Sequence, residues 1–332
     1  DDPKVPKALW DELSACQRDG VRWLWQLRSQ GVGGVLADEA GCGKTAQIIG
    51  YVSALHQAGM LPGGCPQDAG GSAAAQAAPP GTGGVLVLCP AIRVPKWHAE
   101  LVLRCPRLGV HKAASADEKL RPTVGTPRQP RAVLVASHEA MLAAHGDLSK
   151  TTGVLVVDDD GRSLRNPHVE LTIAAKQFST PHRIVVSRAP FKESLQDLWS
   201  VIDFCQPGAL GTLPVFAEHL AQPLEAAGRV GADASGRALA VGCASALRNM
   251  TRGSILCRDK SAGAPMPLGK PSRYSSCVRV LQPFLDRSDV QKEDVQAHES
   301  TLKHMIRKMR QSVKDCSGHG AGTPTWTGRC GV

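Results

Sequence analysis

The sequence predicts an α/β fold, a parallel sheet with helices on both faces, and three observations predict it. Five short apolar runs recur between residues 33 and 187. None of them alternates apolar with polar residues, so each suits a strand buried on both faces of a parallel sheet. Helical spacing fills the intervals between them, the order expected of a doubly wound domain.

The runs are "GGVLA" (33–37), "GVLVLC" (84–89), "AVLVAS" (132–137), "GVLVV" (153–157) and "RIVVS" (183–187). After the first, Ile48, Val52 and Leu55 recur on one helical face. Asn166-Pro167 offers an N-cap and a first-turn proline, and Leu171, Ala174 and Phe178 then mark a buried stripe. Residues 61–84, with "AGGSAAAQAAPPGTGG", have too little apolar surface to order themselves and are expected to be a flexible insertion. The pattern is helical from 216 to 256. The main domain is therefore placed at 9–260, a linker at 261–286, and a charged helix with a disordered tail at 287–332.

Composition narrows the function classes. The chain carries 39 Lys+Arg against 30 Asp+Glu, a formal charge of +9. That excess favours a polyanionic partner. Aromatics make up only 4%, too few for a surface of base-stacking platforms, so any nucleic acid would be held through its phosphates. The eleven cysteines form no CxxC pair and no zinc-ligand spacing, which suggests a reduced, intracellular protein. There is no apolar run of membrane-spanning length and no visible signal peptide.

The chemistry begins at "LADEAGCGKTAQII" (36–49). Gly41, Gly43, Lys44 and Thr45 follow a strand and open a helix, the context a phosphate loop needs. Glycines let backbone N–H groups close on phosphate oxygens, and the helix N-terminus adds positive potential. Lys44 reaches the β/γ-phosphates and Thr45 can ligate Mg²⁺. Asp38 stands where the general pattern has its first glycine. A second acid is needed to order Mg²⁺ and water, and "GVLVVDDDG" supplies Asp158, Asp159 and Asp160 at a strand end. Apolar patterning alone favours Asp158 as the first acid. No Asn-Lys-x-Asp guanine-reading motif is present.

"DEAGCGKTAQII" resembles the DEMGLGKT signature of Swi/Snf-type helicase-like ATPases. "CQRDGVRWLWQL" is similar to that family's upstream Gln motif, and "LCPAIRVPKWHAEL" to its next motif. The stretch from "RNPHVELTIAAKQF" to "GALGTLPVF" is closest to the Cockayne syndrome group B-like branch of DNA-repair remodellers. The resemblance implies a RecA-like lobe using ATP and Mg²⁺, acting on double-stranded DNA or chromatin in the nucleus, with a stalled RNA polymerase as a further partner. It implies that Gln17 reads adenine and that Asp38, Glu39, Ala40, Gly41, Cys42, Gly43, Lys44 and Thr45 hold the phosphates. Aligned through Gly161 and Arg165-Asn166-Pro167, it makes Asp159 the Mg²⁺-ordering acid and puts Asp160 where the family has its catalytic Glu.

Several residues depart from the family pattern. Asp160 is one methylene shorter than Glu, and a misplacement of about 1 Å at a reacting centre can cost on the order of a hundredfold. Arg162, Arg188 and Lys192-Glu193 replace family residues in the motifs that follow the acids and the run 183–187, and "LCRDKS" has Cys257 in place of the first of two arginines. No motif of the family's second lobe is found, and an arginine finger from such a lobe contributes ~10³–10⁵ in rate. The expectation is a lobe that hydrolyses ATP weakly or not at all by itself. The alternative is a non-catalytic nucleotide- or DNA-binding module. The basic positions Lys303, Arg307, Lys308, Arg310 and Lys314 suit a solvated helix face better than a DNA contact, and Trp23, Trp25 and Trp199 suit packing. Cys42 beside a helix N-terminus could have a lowered pKa, with steric filling as the default.

Overall fold

The five expected strands all form, and they join one parallel sheet. The computed structural model describes residues 2–61, 84–115, 133–149, 153–159, 161, 163–178, 180, 182–187, 194–229, 231–258, 281–286 and 290–317. The strands are β1 (Gly34–Leu36), β2 (Gly84–Cys89), β3 (Val110–Ala113), β4 (Val133–Ser137), β5 (Gly153–Asp158), β6 (Arg183–Val186) and β7 (Ile255–Leu256). Their order across the sheet is β3-β4-β2-β5-β6-β1-β7, with every ladder parallel. The two strands that the apolar runs did not announce, β3 and β7, are the edges. One reads "VHKA" and the other is two residues long, so neither carries a continuous apolar signal.

The non-alternating runs are explained by two cores, one on each face. Leu36, Val87, Cys89, Val135, Leu155, Val157 and Ile184 pack beneath the helices Ala15–Ser29, Lys44–Gln57 and Val94–Arg104. The residues between them, Val35, Leu88, Leu134, Ala136, Val156 and Val185, join the core of the opposite face with Trp199, Phe204 and Leu247. Successive strand residues point to opposite faces, so two apolar faces require a continuous apolar run. The helix Lys44–Gln57 is buried at every residue from Gln47 to His56, more than the Ile48–Val52–Leu55 stripe alone implied.

Two boundaries move. The helix expected after Asn166-Pro167 runs Glu170–Lys176, with Val169 as its N-cap. Asn166 Oδ1 instead accepts the His168 N–H at 3.0 Å, closing a local turn that delays the helix. The domain edge expected at 260 is not an edge of the core. Leu281, Phe284 and Met309 join the same apolar cluster as Trp199 and Phe204. The helix Glu299–Ser317 lies on the lobe with Met309 fully covered, Leu302 against Gly242 and Val313 against Gly208. The Thr212 N–H donates to Ser312 Oγ at 3.2 Å. Lys303, Arg307, Lys308, Arg310 and Lys314 do face outward, as a solvated face should.

The Gly/Ala/Pro-rich insertion, most of the expected linker and the tail lie outside the described residues. No described helix is long and apolar enough to cross a membrane. Cys16, Cys42, Cys89, Cys105, Cys205 and Cys243 are free thiols. Cys257 is disulfide-bonded, against the expectation of reduced cysteines throughout.

Candidate functional site

The loops after β1, β5 and β6 meet at one end of the sheet. Ala37 N–H donates to Leu256 O at 2.7 Å, Ser187 N–H to Leu36 O at 3.1 Å, and Asp159 N–H to Leu88 O at 2.8 Å. These bonds carry the strand pairing just past the last paired residues, so the glycine loop and Asp158-Asp159 emerge at the same end of the sheet, with β6 between them. Gly161 is packed so closely that an added Cβ would lie 2.8 Å from both Ser187 Cβ and Val185 Cγ1.

The loop from Ala37 to Gly43 turns back onto the helix Lys44–Gln57. Gly41 and Gly43 have φ of 92° and 75°, the left-handed region that only glycine enters without strain. Gly43 is the N-cap, and Gln47 N–H donates to its carbonyl at 3.1 Å. Glu39, Ala40 and Gly41 are exposed, while Cys42, Lys44 and Thr45 are half-buried. Lys44 Nζ donates to the carbonyls of Asp38 (2.6 Å) and Glu39 (3.2 Å). The ammonium is therefore folded into the loop's own concavity, where a phosphate would compete for it.

Gln17 reaches the same loop from the adjoining helix. Its Oε1 accepts the Ser14 N–H at 3.0 Å in a capping box, and its Nε2 donates to Cys42 O at 3.3 Å. Gly43 is required here for a second reason, because a Cβ would collide with that Nε2. Burial, with Asp38 and Glu39 nearby, pushes the Cys42 thiol up. That direction is opposite to the one an activated thiol needs.

Asp38 does not face solvent or the loop's mouth. Arg258 Nε and Nη2 donate to its two carboxylate oxygens at 3.0 and 2.5 Å, and Gln47 Nε2 donates to Oδ2 at 3.0 Å. Arg258 also reaches Gln47 Oε1 (2.8 Å) and Cys16 O (2.6 Å). One guanidinium thus joins the start of the Gln17 helix, the loop after β1, the helix that follows it and the chain leaving β7. Gly20 gives this cluster room, since a Cβ there would run into Gln47 Oε1.

The two described acids part ways. Asp158 shares the face of Val156 and lies 2.8 Å from His138 Nε2, with Ser163 Oγ donating at 3.4 Å. Asp159 turns to the other face, where Trp97 Nε1 donates to its Oδ2 at 2.5 Å and Arg93 Nη2 lies 2.9 Å from the same oxygen. Arg93 Nη1 also donates to the Asp159 carbonyl at 2.9 Å. Burial pushes the Asp159 carboxyl up to about 6, opposed by the Trp97 N–H, the Arg93 charge and the Lys44 charge. Asp160, Arg162, Arg188 and Lys192-Glu193 lie outside the described residues.

The residues present fit a phosphate with a divalent cation. Two left-handed glycines, a helix of 14 residues and an ammonium form the cradle, and Asp159, with Lys44 close enough to lower its pKa, stands beside it. No cluster of three or more His, Cys, Asp or Glu forms among the described residues. Mg²⁺ suits such a site, since it takes one or two protein oxygens and completes its shell with water and substrate phosphate. Thr45 and Asp159 would be the protein ligands.

A family model of the SNF2-related domain matches residues 16–314. The chain belongs to the SNF2-related domain family. The match runs past the expected boundary at 260 and takes in most of the helix Glu299–Ser317. DNA excision repair protein ERCC-6 of Homo sapiens is 32% identical to this SNF2-related chain over 299 residues, covering 86% of the chain and 19% of that protein. DNA repair and recombination protein RAD26 of Saccharomyces cerevisiae is 27% identical, covering 78% of the chain and 26% of that protein. The chain therefore spans about a fifth to a quarter of the length of these relatives. A Sulfolobus solfataricus SWI2/SNF2 ATPase core solved in complex with dsDNA shares the fold, with a TM-score of 0.57 at 23% identity over 75% of this chain and 45% of that one. The lobe is RecA-like in that sense, one sheet of an SNF2-type core.

Sequence reasoning missed four participants in this SNF2-related lobe: Arg258, Gln47, Arg93 and Trp97. All four lie in stretches quoted for the family pattern, where no role was given to them, and only the fold brings them to Asp38 and Asp159.

Proposed function

We propose that this chain is the ATP-binding lobe of a nuclear, DNA-dependent ATPase of the Swi/Snf type, related to transcription-coupled repair and chromatin remodelling. The observation that carries the reading is the Gly43–Lys44 corner. A left-handed glycine caps a long buried helix, and the lysine that follows donates to loop carbonyls that a phosphate can displace. In this reading Gln17 reads adenine from beside Cys42, and Gly41 through Thr45 wrap the phosphates. Asp159 and Thr45 hold Mg²⁺, which when bound would neutralise phosphate charge. Asp160 orients the attacking water. The +9 charge suits double-stranded DNA held through its phosphates, and a second RecA-like lobe, in the same or another polypeptide, supplies the arginine finger. A stalled RNA polymerase is the further partner suggested by the resemblance to repair proteins.

The test is ATP turnover by the purified chain with and without duplex DNA, against Lys44→Ala. DNA-stimulated turnover that Lys44→Ala abolishes supports a working motor lobe. ATP binding that depends on Lys44, with turnover no faster than the variant's, supports the second reading, a nucleotide-binding module without catalysis. The engagement of Asp159 by Arg93 and Trp97 favours that second reading.

A further inference from the structure

From the contacts of Asp159 we infer that Arg93 is a resident competitor for Mg²⁺, setting the metal requirement of nucleotide binding. The inference rests on the nucleotide site proposed above and concerns its regulation.

The geometry is specific. One guanidinium grips one residue twice, at the side chain (2.9 Å to Oδ2) and at the main chain (2.9 Å to the carbonyl). The indole of Trp97 donates to that same Oδ2 at 2.5 Å. Both donors sit on the stretch Ala91–Arg104 that follows β2, so they are placed as a unit. The Asp159 side chain is 4% exposed and that of Arg93 is 43% exposed. The carboxylate is therefore locked in the interior, while the cation that satisfies it stands at the surface with solvent to withdraw into.

A buried carboxylate without a counter-charge is costly, and a guanidinium supplies the charge that a divalent ion would otherwise bring. An oxygen that already accepts an indole N–H and a guanidinium N–H has little lone-pair density left for a metal. Loading Mg²⁺ through Oδ2 requires Arg93 to swing out, and at Oδ1 the ion meets the guanidinium charge beside it, which the outward swing of Arg93 relieves. Its freedom to do so makes the contact a competitor and not a permanent block.

The experiment measures binding of a fluorescent ATP analogue by anisotropy across a Mg²⁺ titration, for the unaltered chain, Arg93→Met, Arg93→Lys and Lys44→Ala. Arg93→Met should lower the Mg²⁺ concentration at half-effect by at least about tenfold, the worth of one charge-assisted hydrogen bond. Arg93→Lys, which keeps the charge and loses the two-point grip, should fall between. A requirement unchanged or raised in Arg93→Met would overturn the inference and make Arg93 a support for Asp159. If Lys44→Ala binds the analogue as the unaltered chain does, the nucleotide site itself is wrong, a failure distinct from that of Arg93. Arg93→Met removes the counter-charge of a buried carboxylate, so its thermal melt should fall and should recover with Mg²⁺ and nucleotide, Arg93→Lys lying between, and intrinsic tryptophan fluorescence gives a second readout through Trp97.

Discussion

Arg258 and Asp38 are 220 residues apart in the chain and form a two-point ion pair in which neither side chain is more than 3% exposed. The pair closes the lobe. It ties the outgoing end of β7 to the loop that follows β1, and through Cys16 O and Gln47 it fixes the two helices that flank that loop.

Breaking one half of this pair should be worse than removing both. Asp38 in Arg258→Met would be a carboxylate buried with Gln47 as its remaining partner, a loss of about 3–5 kcal/mol for a broken buried pair. Arg258→Met combined with Asp38→Leu should recover most of that in a denaturant-melt double-mutant cycle. Additive losses would show that the two residues are not coupled.

Gly43→Ala tests the loop from the other side. The substitution must adopt φ near +75° and push aside the Gln17 amide. The left-handed conformation costs an L residue roughly 1–2 kcal/mol. ATP-analogue binding should weaken at least tenfold with little change in helix content by circular dichroism. Retained affinity would mean that Gln17 and the loop need not touch.

The helix Glu299–Ser317 should divide into a face that matters for stability and one that does not. Met309 is 1% exposed and packs on Gly211, so Met309→Ala should cost about 2–3 kcal/mol as a large-to-small core change. Lys308→Ala, on the outer face, should stay within about 0.5 kcal/mol. Equal effects would place this helix off the core.

Acid should weaken the fold through His182. It is 1% exposed and its Nδ1 donates to Val32 O at 2.7 Å. Burial lowers its pKa from 6.5 to about 4. The unfolded chain therefore binds the proton first. The stability from keeping His182 neutral is complete above pH 6.5 and is lost as pH falls through about 4, up to roughly 3 kcal/mol in all. Asp159, raised from 3.8 to about 6, works in the opposite sense over nearly the same window. The clean readout is thus the difference between the unaltered chain and His182→Asn, in melts at pH 7 and pH 5. That difference should shrink on acidification, and a constant difference would refute the assignment.

The order of elements and the glycine loop were legible in the sequence because they depend on neighbours in the chain. Five apolar runs without alternation announced five strands buried on both faces, and glycines at 41 and 43 before Lys-Thr announced a loop that opens a helix. Local patterns failed where a side chain or a distant surface decided. Asn166 capped its own turn and moved a helix start, and the 287–332 segment read as a separate charged helix because five basic residues outshone Met309 and Leu302.

What the sequence by itself determined is the class of fold, the family and the place of the glycine loop that opens a helix. Periodicity and a few contiguous residues encode these. What only the tertiary structure decided is who holds the acids. Asp158 goes to His138, Asp159 to Arg93 and Trp97, and Asp38 to Arg258, partners 20, 66, 62 and 220 positions away. No spacing in the chain predicts such pairs, because a buried carboxylate takes whichever donor the packing of the sheet and its helices brings within reach.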